Sequence, residues 1–131
     1  MIMCPVPTDR VKQFIPIIQH MVDRVDKRIA GSSKGLDEKL VTGRERLIVF
    51  IEDKRVISFI TYGEMESGGA IVHLGASDER YEVDYVQCVQ DATEYLETMY
   101  DSITLQGRKG WERALAKLGY KYYMTVLRRE I

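Results

Sequence analysis

The closing stretch Ser102 to Ile131, SITLQGRKGWERALAKLGYKYYMTVLRREI, constrains the fold of this chain more than any other. Ser102 to Gln106 is a short β-type run ending at Gly107. Trp111, Ala114, Leu115 and Leu118 then share one helical face, and Gly119 stands where a left-handed C-cap is expected. From Tyr120 to Leu127 the period shortens to two, which predicts a final strand. A short helix with one apolar face, set between two strands, can bury that face only against a sheet supplied by the upstream residues.

That sheet is legible between residues 46 and 75. RLIVFIE (46–52), VISFITYGEM (56–65) and AIVHLG (70–75) are strand-like runs joined by the turn signals Glu52-Asp53-Lys54-Arg55 and Ser67-Gly68-Gly69. They predict a three-stranded antiparallel meander. Upstream, Met1 to Pro7 carries two prolines and reads as an extended arm or edge strand. Phe14, Ile18, Met21, Val22, Val25 and Ile29 form a helical stripe behind an N-cap at Thr8 or Asp9, and Pro16 predicts a kink or a second helix start.

Leu36 to Thr42 reads as a two-turn helix closed by Gly43. A long helix is expected from about Val83 to Tyr100. Its polar face is acidic, with Glu82, Asp84, Asp91, Glu94, Glu97 and Asp101, and no Lys or Arg lies between Glu82 and Asp101. Antiparallel strands followed by strand–helix alternation predict one α+β domain over residues 1–131, with a mixed sheet in three layers.

Composition narrows the function classes. The chain has 131 residues, 45% apolar and 30% charged, with a formal net charge of -1, so it can build a core and carries no strong nucleic-acid signal. No apolar run approaches the roughly 18 residues of a membrane span, and the start lacks a signal-peptide pattern, so a soluble, cytosolic protein without membrane partners is expected. Cys4 and Cys88 lie far apart and are expected to be free thiols, Cys88 as a small buried residue. Together with His20 and His73 they make no metal-ligand spacing. Neither a Ser-His-Asp grouping, a Walker loop nor a dinucleotide fingerprint is present.

The element order, with the turn Ala114-Leu115-Ala116-Lys117-Leu118-Gly119-Tyr120, resembles the GNAT family of N-acetyltransferases. The Gly-Arg-Lys-Gly-Trp run at 107–111 and the Pro-Val-Pro start are similar to small acetyltransferase-like bacteriophage proteins, including virion proteins. The resemblance implies an acyl thioester held at a splayed strand edge, with acetyl-coenzyme A as cofactor. It places the cofactor at Gly75, Arg80, Arg108 and Lys109. The family's glycine-rich pyrophosphate signature would fall at Gly75 to Asp84, where no glycine follows Arg80 and Glu82 and Asp84 add negative charge.

At the position of the family's acidic tyrosine stands Leu115; Tyr120, Tyr122 and Tyr123 lie nearby as packing residues or substitutes. Glu64 and Glu66 are base candidates, while His73 is expected to be a hydrogen-bonded structural residue. These departures lead to the expectation of a non-catalytic, cofactor-free protein that assembles into a bacteriophage virion through contacts with phage or host proteins. It would reside in the virion or the host cytoplasm. The alternative is an acetyl-coenzyme A-dependent N-acetyltransferase with a divergent cofactor loop, acting on an amine of a small molecule or protein.

Overall fold

The computed structural model describes residues 1–28, 31, 33–106, 111–121 and 129. Among these residues five strands form one sheet in the order β1-β2-β3-β4-β5. They are β1 Ile2–Val6, β2 Arg46–Glu52, β3 Arg55–Glu64, β4 Ala70–Ser77 and β5 Ile103–Leu105. The first four pair antiparallel, and β5 joins β4 in parallel. A parallel neighbour needs a crossover, which is supplied by helix α3, Tyr85–Glu97.

Two further helices, α1 Val11–Arg28 and α2 Leu36–Thr42, cover the opposite face. On that side Leu47, Val49 and Phe59 meet Ile18, Met21, Val22 and Leu40. On the other, Ile48, Phe50, Ile60 and Val72 meet Cys88, Ala92 and Leu96 of α3. The alternation along β2 thus feeds two cores, giving the expected three layers. Phe50 and Phe59 are both 0% exposed, and each such ring contributes about 2 to 3 kcal/mol of transfer free energy.

Pro16 does not break α1. It lies on the exposed side of the helix, so the carbonyl left without an N–H partner is open to water. Pro5 is accommodated because β1 is an edge strand with β2 on one side only. The expected closing helix is divided into α4, Trp111–Leu115, and a tight turn Ala116–Leu118, capped by Gly119 at φ 86°. The final strand expected at Tyr120 to Leu127 falls largely outside the described residues, as do Arg108, Lys109, Tyr122 and Tyr123.

Candidate functional site

β4 is eight residues long, yet only Ala70, Ile71 and Val72 are paired with β5, through Ile103, Thr104 and Leu105. A last bond from Gln106 N–H to the Val72 carbonyl, 3.2 Å, ends the ladder, and the two strands part. At the same point β4 carries a bulge. Thr61 faces Leu74 and Tyr62 faces Val72, leaving His73 as the extra residue. Bulges re-aim side chains and backbone next to functional sites.

The bulge also shifts the hydrogen-bond alternation by one residue. Before it, Ala70 N–H and the Val72 carbonyl face β5. After it, Asp78 N–H donates to the Ile57 carbonyl at 2.8 Å, so Asp78, Ala76 and Leu74 face β3. The backbone groups of Gly75 and Ser77 therefore turn to the flank that β5 has left. Gly75 and His73 are exposed there. Glycine at 75 has a packing reason as well, since a Cβ would meet Ile60 Cγ2 at 3.2 Å.

His73 is held at this vertex by Glu45. The imidazole Nδ1 lies 2.7 Å from Glu45 Oε1, with side-chain exposures of 41% for the histidine and 8% for the glutamate. Glu45 is seated by the turn after α2 and packs over Gly63 of β3, where any Cβ would collide with its Oε2. With Nδ1–H donated to the carboxylate, Nε2 keeps its lone pair as a proton acceptor. Opposite the bulge, Thr61 is 0% exposed and its hydroxyl has no partner among the described residues.

A cavity of about 390 Å³ adjoins Glu45, lined by Arg44, Arg46, Tyr62, Gly63, Glu64 and Tyr100 among others. Tyr100 donates its hydroxyl to Glu64 at 2.9 Å. Burial, reinforced by that bond, raises the Tyr100 phenol. Burial also pushes Tyr62 far above its ordinary value, so both rings stay neutral donors. Glu64 lies in this wall, whereas Glu66 is exposed in the following loop.

The other end of the splay is built differently. Tyr85 hydrogen-bonds the Ser77 hydroxyl, and Trp111 of α4 packs edge-on against Tyr85 at a centroid distance of 5.4 Å. This chain ties β4, α3 and α4 together. The first turn of α3 is capped by Asp84, whose Oδ1 accepts from Gln87 N–H at 3.1 Å. A carboxylate thus occupies a helix N-terminus that could otherwise receive a phosphate.

Arg80 is engaged as well, its Nη2 lying 2.6 Å from the buried carboxylate of Asp78. That guanidinium holds the Asp78 carboxyl well below the ordinary carboxylate range, with His20 a further partner at 3.3 Å. Leu115 is buried, an apolar anchor of α4. The Tyr120 hydroxyl is bonded to Thr93 on α3.

The structure thus brings Gly75 and His73 together at the vertex and puts Arg80 at the far end of β4. Glu45 gave no sequence signal, because Arg44-Glu45-Arg46 at a strand start reads as solvated charge. Only the glycine at position 63 makes room for it. Among the described residues no group of three or more His, Cys, Asp or Glu could hold a metal, and no helix is long and apolar enough to cross a membrane.

No family model matches the chain, and no curated protein matches it. Solved structures do. An aminoglycoside acetyltransferase from an uncultured soil metagenomic sample, in complex with sisomicin, superposes with a TM-score of 0.71 at 13% identity, covering 99% of this chain and 95% of that one. A predicted acetyltransferase from Clostridium acetobutylicum with acetyl-coenzyme A gives 0.61 at 10% identity over 98% and 95%. A GNAT family acetyltransferase from Staphylococcus aureus gives 0.63 at 10% identity over 99% and 98%. The fold is therefore that of the GNAT acetyltransferases.

Proposed function

We propose that the protein is an N-acyltransferase that takes an acyl group from acetyl-coenzyme A and passes it to a primary amine at the β4–β5 vertex. The observation that carries this reading is the coincidence of three features at one point: the parting of the strands, the bulge at His73 and the buried carboxylate of Glu45. The splay suits the amide-bearing arm of the donor, with Gly75 offering backbone groups as a strand would. His73 Nε2 accepts the proton of the attacking amine, which forms the new C–N bond as the C–S bond breaks. The imidazolium can return that proton to the departing sulfur. Glu45 orients the ring and stabilises its charged form.

The phosphates of the donor do not fit the β4–α3 turn in the family manner. Asp84 caps α3 and Asp78 engages Arg80. Under this reading they lie elsewhere, with Arg108 and Lys109 the sequence's remaining candidates. The Asp84 cap and Leu115 favour a second reading, in which the fold binds a partner without transferring an acyl group. The virion context rests on the sequence resemblance alone, and the structural likenesses add nothing to it.

The test is release of coenzyme A thiol from acetyl-coenzyme A with a panel of small and peptidyl amines. Amine-dependent release that falls about hundredfold in His73→Ala supports acyl transfer. The same slow release in wild type and variant would instead favour the second reading.

A further inference from the structure

A second cavity, of about 420 Å³, lies at the opposite edge of β4 from the splay, between α1, the β2–β3 turn and the loop after β4. Its rim is cationic. Lys54 and Arg55 come from the turn, and Arg80 from the loop. Ile17, Val56 and Tyr81 supply apolar wall, Ile17 being 46% exposed.

The turn itself is unusual. Asp53 and Lys54 are the two central residues of the β2–β3 hairpin and adopt φ values of 50° and 64°. Two-residue hairpins of this hand favour Asp-Gly or Asn-Gly, so Asp53 fits and Lys54 stands where glycine is preferred. A lysine held in the left-handed region is a local strain, which points to a reason outside the turn.

The charges at the cavity do not cancel. Asp78, with its carboxylate 3% exposed, is matched by Arg80 and approached by His20. Arg55 Nη1 donates to the Tyr81 hydroxyl at 2.7 Å, a neutral acceptor, and so keeps its charge. Lys54 has no ion-pair partner among the described residues. Of the nearby acids, Glu52, opposite Arg55 in the hairpin register, lies 3.8 Å from the N-terminal ammonium, Glu79 pairs with Arg24 at 3.5 Å, and Asp53 is exposed in the turn, outside the lining. Lys54 and Arg55 are thus the two cations of the lining that no carboxylate bonds among the described residues, and they stand beside an apolar wall.

We propose that this cavity is a binding site for a small organic phosphate, distinct from the acyl-donor splay. The phosphate dianion sits between Lys54 and Arg55, and the apolar part of the ligand lies on Ile17 and Tyr81. The proposal stands independently of acyl transfer, because no residue of the vertex lines this cavity.

Amide chemical shifts followed by NMR during titration with phenyl phosphate and with inorganic phosphate test it. Saturable shifts at Lys54, Arg55 and Tyr81 are expected, with phenyl phosphate binding more tightly than inorganic phosphate. Lys54→Gly separates binding from folding. It should melt at a higher temperature, because glycine relieves the turn, yet bind phenyl phosphate about tenfold more weakly, because a charge-assisted contact is gone. Absence of saturable shifts at tens of millimolar ligand overturns the proposal. So does unchanged affinity in Lys54→Gly, or a response confined to His73 and Gly75.

Discussion

The two ends of the free stretch of β4 have opposite characters. At the vertex, His73 and Gly75 are exposed, and the Gly75 backbone groups turn to the flank that β5 has left. Four residues on, Ser77 is closed off by Tyr85 and Trp111, Asp78 and Arg80 satisfy each other, and Asp84 caps α3. The strands of this fold can thus part and expose their backbone at one end of β4 while the turn at the other end is internally neutralised. The vertex is where polar groups remain available, and the β4–α3 end is where they serve the fold.

The sharpest way to break this contrast is His73→Ala. Loss of a positioned base should lower kcat/KM about hundredfold, roughly 2.7 kcal/mol in the transition state, while the melting temperature of this half-exposed position changes little. A variant that loses stability but not turnover would make His73 structural. Glu45→Gln keeps the shape and removes the charge; about a tenfold loss of turnover is expected from a positioning residue, and steady-state kinetics on both variants would show it. If Glu45→Gln were as active as the wild type, the carboxylate would serve packing alone.

The other end should respond in stability. Asp78 titrates well below the ordinary carboxylate range when folded, because the Arg80 guanidinium and the Arg80 backbone N–H bond to it. Its stabilisation is therefore fully present above pH about 4 and is lost as the pH falls through and below that value. Thermal melts from pH 6 down to roughly pH 2 should show a steep acid limb in the wild type. In Asp78→Asn the limb should be flatter and the neutral melting temperature several degrees lower. An unchanged limb would mean that the pair contributes nothing.

Asp84→Asn tests the cap and the charge separately, since asparagine caps helices as well as aspartate. Stability should be nearly unchanged. Affinity for acetyl-coenzyme A should rise by up to about tenfold if the donor phosphates approach α3, and calorimetry on the variant reads this directly. No change would place the phosphates away from α3. The smallest effect is expected at Thr61→Val, which removes a buried hydroxyl with no partner among the described residues. It should be neutral or stabilising by less than about 1 kcal/mol in denaturant unfolding, unless the hydroxyl meets a ligand, in which case turnover falls instead.

Much of the fold was readable from local chemistry. β2 runs over Arg46–Glu52 and α2 over Leu36–Thr42, as the apolar pattern and Gly43 predict. β4 runs two residues past its expected end at Gly75, because Ala76 and Ser77 pair with Phe59 and Ser58, a long-range fact. The long helix is shorter than expected, starting at Tyr85, because Asp84 takes the cap position. For the site, His73 was legible as a hydrogen-bonded histidine, but its partner and its bulge were not. Both depend on the register between β3 and β4, which no single strand's pattern encodes. The expectation of a non-catalytic protein rests on the missing glycines, on Leu115 and on the acidic face of the long helix; the bulge at His73 and its contact with Glu45 are not visible in the sequence.

The most direct measurement of the central claim is an NMR titration of the wild-type protein with acetyl-coenzyme A, following the amides of His73 and Gly75. Saturable shifts centred on these two residues are expected, with a dissociation constant in the range of roughly 0.1 to 1 mM given an incomplete phosphate cradle. Folded protein whose His73 and Gly75 amides do not move at roughly 5 mM acetyl-coenzyme A, well above that range, would contradict it.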